Sequence, residues 1–378
     1  MNINGPPSIF RLEGYVNNIK KVIYLFSDIH IPLSEQTQCN DFPNKNINNY
    51  LVDELYRLSN DDTVKKKYDL FLETNFDHNL SKETTRNIDI TKSRAKNYII
   101  ETTRTFMKIV RYDNTDISVN EMFSKLRIHY FDYRKYYVHN IFDSIFEYSL
   151  TDPIYYSPNS NINSITTKIT NKLKILYDIL TNYQSLMNHL SAENETTNSI
   201  FNKLKNKYNH ENVKKIINIL IKEELNYITT TIINITRFRE TYRKYIFILS
   251  NYHKSELSNA STDISKLVSD INKYTKTTIK MLTYPLLMTD LFLLRRFLDK
   301  DYITNGIVYA GLNHIINIMQ NLVKYMNFKV THFTDSFTSI DDLNKLLHTN
   351  IDVNTLASII RKNSIQCSNT HAFPLNFY

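Results

Sequence analysis

The sequence is poor in the residues on which several large enzyme classes depend. Its 378 residues include four glycines, eight prolines, two cysteines and no tryptophan. The P-loop and the Rossmann fingerprint hold phosphate groups with loops that need several glycines at fixed spacing. Neither motif is present, and a nucleophile elbow and the kinase motifs are also missing. The sequence therefore excludes these glycine-dependent classes of enzyme.

The two cysteines restrict both the metal sites and the covalent cross-links that the chain can form. Cys39 and Cys367 are too few for a disulfide framework or for a metal site made of cysteines alone. This low cysteine content fits a reducing cytosol. No signal peptide opens the chain, because Pro6, Arg11 and Glu13 stand where an apolar segment would be needed. We therefore expect a cytoplasmic protein.

Long apolar runs are missing as well. The strongest apolar stretch, residues 284–294, is too short to span a bilayer and contains Asp290. The sequence therefore predicts no transmembrane segment.

The abundant residues point to the source more than to the function. The chain has 27 tyrosines and is crowded with asparagine, isoleucine and lysine, whose codons are rich in A and T. This bias indicates an AT-rich virus, protist or bacterium. The net charge of +8 favours contact with polyanions, but the charges are scattered. The basic segment 237–244 gives only a minor nucleic-acid hypothesis, and nucleic acid is not an expected partner.

A short stretch at residues 22–32 indicates where a site would lie. Its apolar run, 22–26, is short and continuous, which is typical of a strand buried on both faces of a parallel sheet. Asp28 and His30 follow directly, and ligands bind beyond the carboxyl ends of such strands. The two residues are two positions apart, so their side chains can point the same way. The alternative is a strand end at which Asp28 only caps the next turn.

Further strands with polar residues at their carboxyl ends are predicted over 68–74, 126–134 and 306–314. They alternate with helical segments, which is the pattern of a parallel α/β sheet. A fifth strand is predicted at 328–333, and residues 1–20 are predicted to be irregular.

The predicted fold class is α/β, with a parallel sheet of about four or five strands, flanking helices and a large helical insertion. Residues 1–150 are assigned to the first part of the core and 151–300 to the insertion. Residues 301–378 return to the core and form the C-terminal tail. The insertion consists of helices, predicted over 165–190, 213–249 and 261–300.

The carboxyl edge of this sheet gathers groups that are suited to chemistry. Two imidazoles and up to three carboxylates form a reasonable ligand set for Zn, Mn or Fe. They equally suit a metal-free acid–base site, in which a histidine paired with a carboxylate activates water. An ion-pair network without chemistry is the third alternative. The groups are Asp28, His30, Glu73, Asp132, Arg134 and His314.

The helix before the fourth predicted strand adds more charge. Asp290 lies in an otherwise apolar segment, so it faces either a polar site or solvent. Arg295 and Arg296 follow, and arginines beside such sites commonly bind carboxylate or phosphate groups. The fourth predicted strand ends in Gly-x-x-His, and in a chain this poor in glycine Gly311 indicates a backbone position that no other residue can take. The alternative is a plain strand-to-helix turn with His314 in the first helical turn.

Three of these motifs together resemble one known superfamily. They are Phe-Ser-Asp-Ile-His-Ile-Pro at 26–32, the acidic Glu73, and Gly-Leu-Asn-His at 311–314. They resemble motifs of TIKI/TraB-like metalloproteases, erythromycin esterases and ChaN-like haem-binding proteins. The whole pattern is also similar to that of uncharacterised proteins of giant DNA viruses, which agrees with the residue bias. A viral source would place the protein in the host cytoplasm or the virion.

The resemblance implies a set of site residues. His30, Glu73 and His314 match the family positions, and Asp28 stands where some members have glutamate. Ser27 replaces a glycine of the family motif. Calcineurin-like metallophosphoesterases also begin with a strand and Asp-x-His, but their later Gly-Asp and Gly-Asn-His-Glu motifs are missing here.

From these observations the sequence predicts a metal-assisted hydrolase whose substrate is unknown. The predicted ligands of a divalent transition metal, Zn or Mn, are Asp28, His30, Glu73 and His314. Arg134 or Arg295 would hold an anionic group of the substrate. The alternative is a non-catalytic viral structural or host-interaction protein on a hydrolase-derived scaffold, with a host or virion protein as its partner.

Overall fold

The computed structural model describes the chain in separate ranges. They are residues 1–35, 39, 43–73, 97–113, 116–119, 121–132, 154–155, 162–191, 204, 206–252, 265–266, 268–273, 275–276, 288–334, 339–360, 366–374 and 377.

The strands of the described part are numbered in chain order. They are β1 Asn2–Asn4, β2 Ile9–Val16, β3 Ile19–Asp28, β4 Asn44–Asn46, β5 Tyr68–Leu72, β6 Val110–Asp113, β7 Asp116–Val119, β8 Leu126–Tyr130, β9 Asn305–Gly311, β10 Lys329–Phe333 and β11 Cys367–Asn369.

The α-helices of the described part are numbered in the same way. They are α1 Ile47–Ser59, α2 Tyr98–Met107, α3 Ile162–Ser191, α4 Glu211–Tyr252, α5 Met288–Asp299, α6 Leu312–Met326, α7 Ile340–Leu347 and α8 Val353–Ile360.

A six-stranded mixed sheet with strand order β10-β2-β3-β9-β5-β8 forms the centre of the fold. The neighbours β3, β9, β5 and β8 are parallel, whereas β2 and β10 extend the sheet with antiparallel pairs. The predicted α/β class is therefore confirmed. The prediction of a parallel sheet of four or five strands is confirmed only in part, because two of the six strands run antiparallel.

The prediction of an irregular segment at residues 1–20 is wrong. This segment holds β1 and β2, and β2 forms a hairpin with β3 in which Val16 pairs with Ile19. Asn17 and Asn18 make the turn with φ of 48° and 66°. Asparagine tolerates this left-handed backbone, and a two-residue turn of this kind matches the twist of the strands that it joins. The Asn-Asn pair was the overlooked sequence signal.

The sheet is buried on both faces, as the apolar runs of its strands predict. Alternate residues of β3, β5 and β9 belong to a core that also contains the apolar face of α1, including Leu51, Leu55 and Leu58. Helix α6 packs against β3 and β9. A smaller sheet, of order β11-β1-β4, brings the first residues of the chain beside its last strand.

The chain divides into two compact units. The first contains Met1–Asp132, Tyr208–Ile216 and Thr289–Tyr378, and the second contains Tyr133–Lys207 and Ile217–Met288. Within the described residues of both units, no helix combines the length and the apolar character that crossing a membrane requires.

The second unit uses part of the basic segment 237–244 for its own packing. The guanidinium groups of Arg239 and Arg243 lie 5.0 and 5.5 Å from the ring centroid of Tyr177 on α3. Both also donate hydrogen bonds to the Tyr177 hydroxyl, at 3.1 and 2.8 Å. These two cations therefore hold α3 and α4 together.

Candidate functional site

Polar side chains converge where three neighbouring parallel strands end. Strand β3 ends at Asp28, Glu73 directly follows β5, and β9 ends at Gly311. Because β9 lies between β3 and β5, the carboxyl ends of all three strands meet at one edge of the sheet. His30 follows β3 at this edge, where ligands bind in open α/β sheets.

Asp28 is a buried carboxylate that holds His30. Its Oδ2 accepts a 2.5 Å hydrogen bond from the Tyr309 hydroxyl. Its Oδ1 accepts a hydrogen bond from the His30 backbone N–H and lies 3.1 Å from His30 Nδ1. His30 has a left-handed backbone with φ of 57°, which is uncommon for a residue with a side chain. Asp28 thus fixes both the backbone and the ring of His30.

Tyr309 keeps its proton and therefore remains a donor to Asp28. Burial and the neighbouring Asp28 carboxylate together raise the pKa of the Tyr309 hydroxyl well above its usual range. The tyrosine lies in the middle of β9 and is fully buried.

Glu73 is the second buried carboxylate, and it lies on the other side of the His30 ring. Its Oε2 accepts a 2.6 Å hydrogen bond from the Gly311 N–H and lies 3.7 Å from His30 Nε2. Its Oε1 lies 3.3 Å from His314 Nε2. A Cβ atom at Gly311 would stand 2.6 Å from His30 Nε2, so a side chain at this position would displace the histidine ring.

His314 is a buried cation placed between two carboxylates. Its Nδ1 lies 2.8 Å from Asp290 Oδ1, and its Nε2 faces Glu73. The other oxygen of Asp290 accepts a 2.8 Å hydrogen bond from the Asn317 amide. Burial alone would lower the pKa of His314, but the charges and hydrogen bonds of Asp290 and Glu73 outweigh it and raise the pKa to about 10.

Exposure separates His30 from the groups that surround it. Its side chain is 45 % exposed, whereas those of Asp28, Glu73 and His314 are between 0 and 5 % exposed. His30 is therefore the group of this cluster that a ligand can reach from solvent.

The structure brings together four of the predicted site residues, namely Asp28, His30, Glu73 and His314. Asp290 joins them on the buried side. Of the two alternatives stated for Asp290 from the sequence, it therefore faces the polar site and not solvent. Arg134 lies outside the described residues. Arg295 stacks on the ring of Tyr208 with its guanidinium carbon 5.0 Å from the centroid, and its predicted role with an anionic group stays a prediction.

Two residues of the cluster were missed from the sequence. Tyr309 lies inside an apolar strand and has the appearance of an ordinary core residue, so no local pattern marks it. Asn317 lies one helical turn after His314, and this i, i+3 spacing places both residues on the same face of α6. That spacing was the available signal for Asn317.

The donor atoms do not fit the predicted transition-metal site. Both ring nitrogens of His314 already face carboxylate oxygens, Nδ1 at 2.8 Å from Asp290 and Nε2 at 3.3 Å from Glu73. Tyr309 and the Gly311 N–H occupy further oxygens of Asp28 and Glu73. Among the described side chains, no group of three or more His, Cys, Asp or Glu is arranged to hold a metal ion. The prediction of Zn or Mn is therefore unsupported.

The chain matches the model of one protein family along its whole length. The match covers residues 1–378, and its description is "Family of unknown function (DUF5847)". The chain belongs to this family. It is 30% identical over 415 residues to "Uncharacterized protein R706" of Acanthamoeba polyphaga mimivirus, covering 99% of this chain and 96% of the relative. It is 28% identical to "Uncharacterized protein R161" of the same virus, covering 100% and 98%. No solved structure matches the chain significantly.

These matches correct one prediction and confirm another. The resemblance to the TIKI/TraB, erythromycin esterase and ChaN-like superfamily is wrong, because the family that covers the chain is a different one. Its basis was a set of short motifs, and strands that end in a carboxylate and a histidine arise in unrelated α/β folds. The similarity to giant-virus proteins is confirmed by the mimivirus relatives.

Proposed function

We propose that the protein is a hydrolase in which His30 acts as a general base on a water molecule. One observation carries the proposal. The solvent-exposed ring of His30 lies between two buried carboxylates, with Asp28 at its Nδ1 and Glu73 near its Nε2. A histidine held in this way by a carboxylate is a recurrent device for activating water or a hydroxyl group.

Asp28 sets the tautomer of the base. A proton on His30 Nδ1 points at Asp28 Oδ1, 3.1 Å away, so Nε2 is the unprotonated ring nitrogen that accepts a proton. When the ring takes that proton, the adjacent carboxylate stabilises the imidazolium that forms. Tyr309 acts through Asp28, because its hydrogen bond holds the carboxylate in place.

Glu73 supplies negative charge on the side of the ring where the proton arrives. The distance of 3.7 Å between Glu73 Oε2 and His30 Nε2 is too long for a direct hydrogen bond. A water molecule that contacts both atoms would be oriented by Glu73 and deprotonated by His30. The Gly311 N–H and His314 keep Glu73 fixed in this position.

Asp290 and Asn317 are positioning residues that act through His314. Asp290 Oδ1 contacts Nδ1 of His314, the ring nitrogen that does not face Glu73. The Asn317 amide donates a hydrogen bond to the other oxygen of Asp290. His314 thus places a positive charge beside Glu73. A buried charge is retained only when its partners are complete, as they are here.

The test is a panel of chromogenic esters, peptides and phosphoesters assayed with the wild-type protein in a chelating buffer. We expect turnover of at least one substrate and a loss of about 10²-fold or more in His30→Gln, as for other general bases. His348→Gln is the matched control, because this histidine is exposed and follows α7. No turnover by the folded wild type, or equal turnover by His30→Gln, would favour the non-catalytic viral protein instead.

A further inference from the structure

The two cysteines of the chain are joined in the structure. Cys39 and Cys367 form a disulfide across a sequence separation of 328 residues, with their Cα atoms 5.2 Å apart. The sequence contains no other cysteine. The bond therefore links a segment near the start of the chain to its last described strand without any competing pairing.

Both cysteines are built into the smaller sheet. Cys367 begins β11, where it pairs with Asn4 of β1. The side-chain oxygen of Asn4 accepts a 2.6 Å hydrogen bond from the Cys39 N–H. The Asn44 amide donates to the Cys39 carbonyl oxygen at 3.1 Å. Cys39 is thus fixed against β1 and β4 by its backbone and against β11 by its sulfur.

Cys39 lies in the same connection of the chain as His30. This connection runs from the end of β3 at Asp28 to the start of β4 at Asn44, and it includes a 3₁₀ helix at Leu33–Glu35. His30 begins the connection with its left-handed backbone, which the surrounding structure must maintain. The disulfide anchors Cys39 of this connection to β11 of the smaller sheet.

One of the two cysteines of the cross-link is more accessible to thiol–disulfide exchange than the other. Cys39 is buried at 6 % exposure, whereas Cys367 is half-buried on a three-residue edge strand. A thiolate from solvent can therefore reach the sulfur of Cys367 more readily than that of Cys39.

We propose that the Cys39–Cys367 pair is a reversible redox modification site that controls the order of the His30 segment. Oxidation by a small-molecule disulfide such as oxidised glutathione proceeds in two exchanges. The thiolate of Cys367 attacks the oxidant and expels one glutathione thiolate, giving a mixed disulfide. The thiolate of Cys39 then attacks the Cys367 sulfur and expels the second. The two cysteines lose two protons and two electrons, and the oxidant becomes two thiols.

The consequence for the catalytic site rests on the proposed function, whereas the cross-link itself does not. In the reduced protein, Cys39 loses its covalent bond to β11 and retains its backbone hydrogen bonds with Asn4 and Asn44. We expect residues 28–35, which carry His30, to open more often in that state, while the buried carboxylates stay in the core.

The first measurement is maleimide labelling of the intact denatured protein, followed by mass spectrometry. The wild-type protein equilibrated with oxidised glutathione is expected to take up no label. After treatment with dithiothreitol it is expected to take up one label per cysteine. Labelling of both cysteines without dithiothreitol would overturn the cross-link.

The second measurement compares hydrogen–deuterium exchange and melting temperature in the oxidised and reduced wild type. Reduction is expected to lower Tm by about 4–8 °C and to speed exchange in the peptide that spans residues 28–35, with α7 as an internal reference. The Cys39→Ser/Cys367→Ser variant is the control, because dithiothreitol must not change its exchange or its Tm. If that variant does not fold, reoxidation of the reduced wild type must restore the slow exchange.

The two parts of the proposal fail in different ways. A lower Tm with unchanged exchange over 28–35 would contradict control of the His30 segment and leave only a structural cross-link. Neither readout uses turnover, so a failure of the proposed hydrolase activity is distinguishable from a failure of the redox proposal.

Discussion

At the scale of single residues, the site combines one side chain that is open to solvent with partners that are closed off from it. His30 is exposed, and each carboxylate beside it has its own buried donors. Asp28 is held by Tyr309, and Glu73 is held by the Gly311 N–H and His314. The proposed function places proton transfer on His30 and positioning on the residues behind it.

Removing the Tyr309 hydroxyl tests this division. Tyr309→Phe keeps the ring but leaves Asp28 Oδ2 without its buried donor, which costs about 1–3 kcal/mol. We predict a folded protein with lower thermal stability and a kcat reduced about tenfold, because Asp28 then orients His30 less well. Tyr302→Phe is the control, since Tyr302 is 53 % exposed. Equal kcat values for the two variants would contradict the role of Tyr309.

The buried charge of His314 predicts a pH dependence of stability. Its folded-state pKa is raised to about 10 from a usual 6.5. The stabilisation is therefore complete below about pH 6.5 and is lost as the pH rises toward about 10, because the folded protein holds a proton that the unfolded chain releases. Urea unfolding of wild type and His314→Gln should show their difference shrinking by on the order of 4 kcal/mol across this range.

The comparison with the variant is needed because Lys21 acts in the opposite direction. Burial lowers the pKa of Lys21 to about 8, so this group stabilises the folded protein more as the pH rises above that value. Its contribution cancels in the difference between wild type and variant. A difference that is constant from about pH 6 to about pH 9.5 would show that His314 is not a buried cation.

At the scale of elements, Lys21 joins β3 to the end of α5. Its ammonium group donates to the carbonyl oxygens of Phe297, Lys300 and Ile303 at 2.9, 2.8 and 2.6 Å. The last carbonyls of a helix lack partners within the helix and attract cations. One buried lysine thus fixes the helix that carries Asp290.

Lys21→Met is predicted to destabilise the protein by about 2–3 kcal/mol, because it removes the donor to three carbonyls at a buried helix end. Lys20→Met is the matched control. Its side chain is 51 % exposed and forms a surface ion pair with Glu13, so its loss should cost less than about 1 kcal/mol. Chemical denaturation measures both changes, and similar values for the two lysines would contradict the capping role of Lys21.

The sequence predicted the elements whose signal is local. Strands β3, β5 and β9 were found because a strand that is buried on both faces is a continuous apolar run. Helices α3 and α4 were found because a helix that is buried along one stripe has apolar residues at helical spacing. The β2 strand was missed, although its Asn17-Asn18 turn was visible. The antiparallel position of β10 beside β2 was not predictable, because pairing between distant segments leaves no local signal.

The candidate site was predictable for a similar reason and to a similar extent. Asp28, Glu73 and His314 each stand at the end of an apolar run or in the first helical turn after it, and parallel strands bring such ends together. The state of these groups was not predictable. Whether His314 binds a metal or stays protonated depends on Asp290, and this contact joins two helices that a strand separates along the chain.

At the scale of the whole molecule, the two ends of the chain are fastened to the first unit. Strand β11 pairs with β1, and the disulfide joins Cys367 of β11 to Cys39. Phe377 is 2 % exposed, and its ring lies among the aromatic side chains of β3, α1 and β5. The boundaries of the helical insertion at 151 and 300 stay a prediction, because residues 133–153 and 253–264 lie outside the described part.

The packing of Phe377 predicts a large effect from a single change at the end of the chain. Phe377→Ala should lower the free energy of unfolding by about 3–5 kcal/mol, because it leaves a cavity among aromatic rings. Phe247→Ala is the control. Phe247 is 67 % exposed, so its loss should cost less than about 0.5 kcal/mol. Equal effects in denaturant unfolding would show that Phe377 is not part of the core.

The central claim is that Asp28 holds His30 as a base whose Nε2 carries no proton, and nuclear magnetic resonance of the imidazole rings tests it without a substrate. Long-range ¹H–¹⁵N spectra show which ring nitrogen carries the proton, and His30→Gln identifies the signal. We predict that neutral His30 carries its proton on Nδ1 and that Asp28→Asn moves it to Nε2. A proton on Nε2 in the wild type, or a tautomer that Asp28→Asn leaves unchanged, would contradict the account.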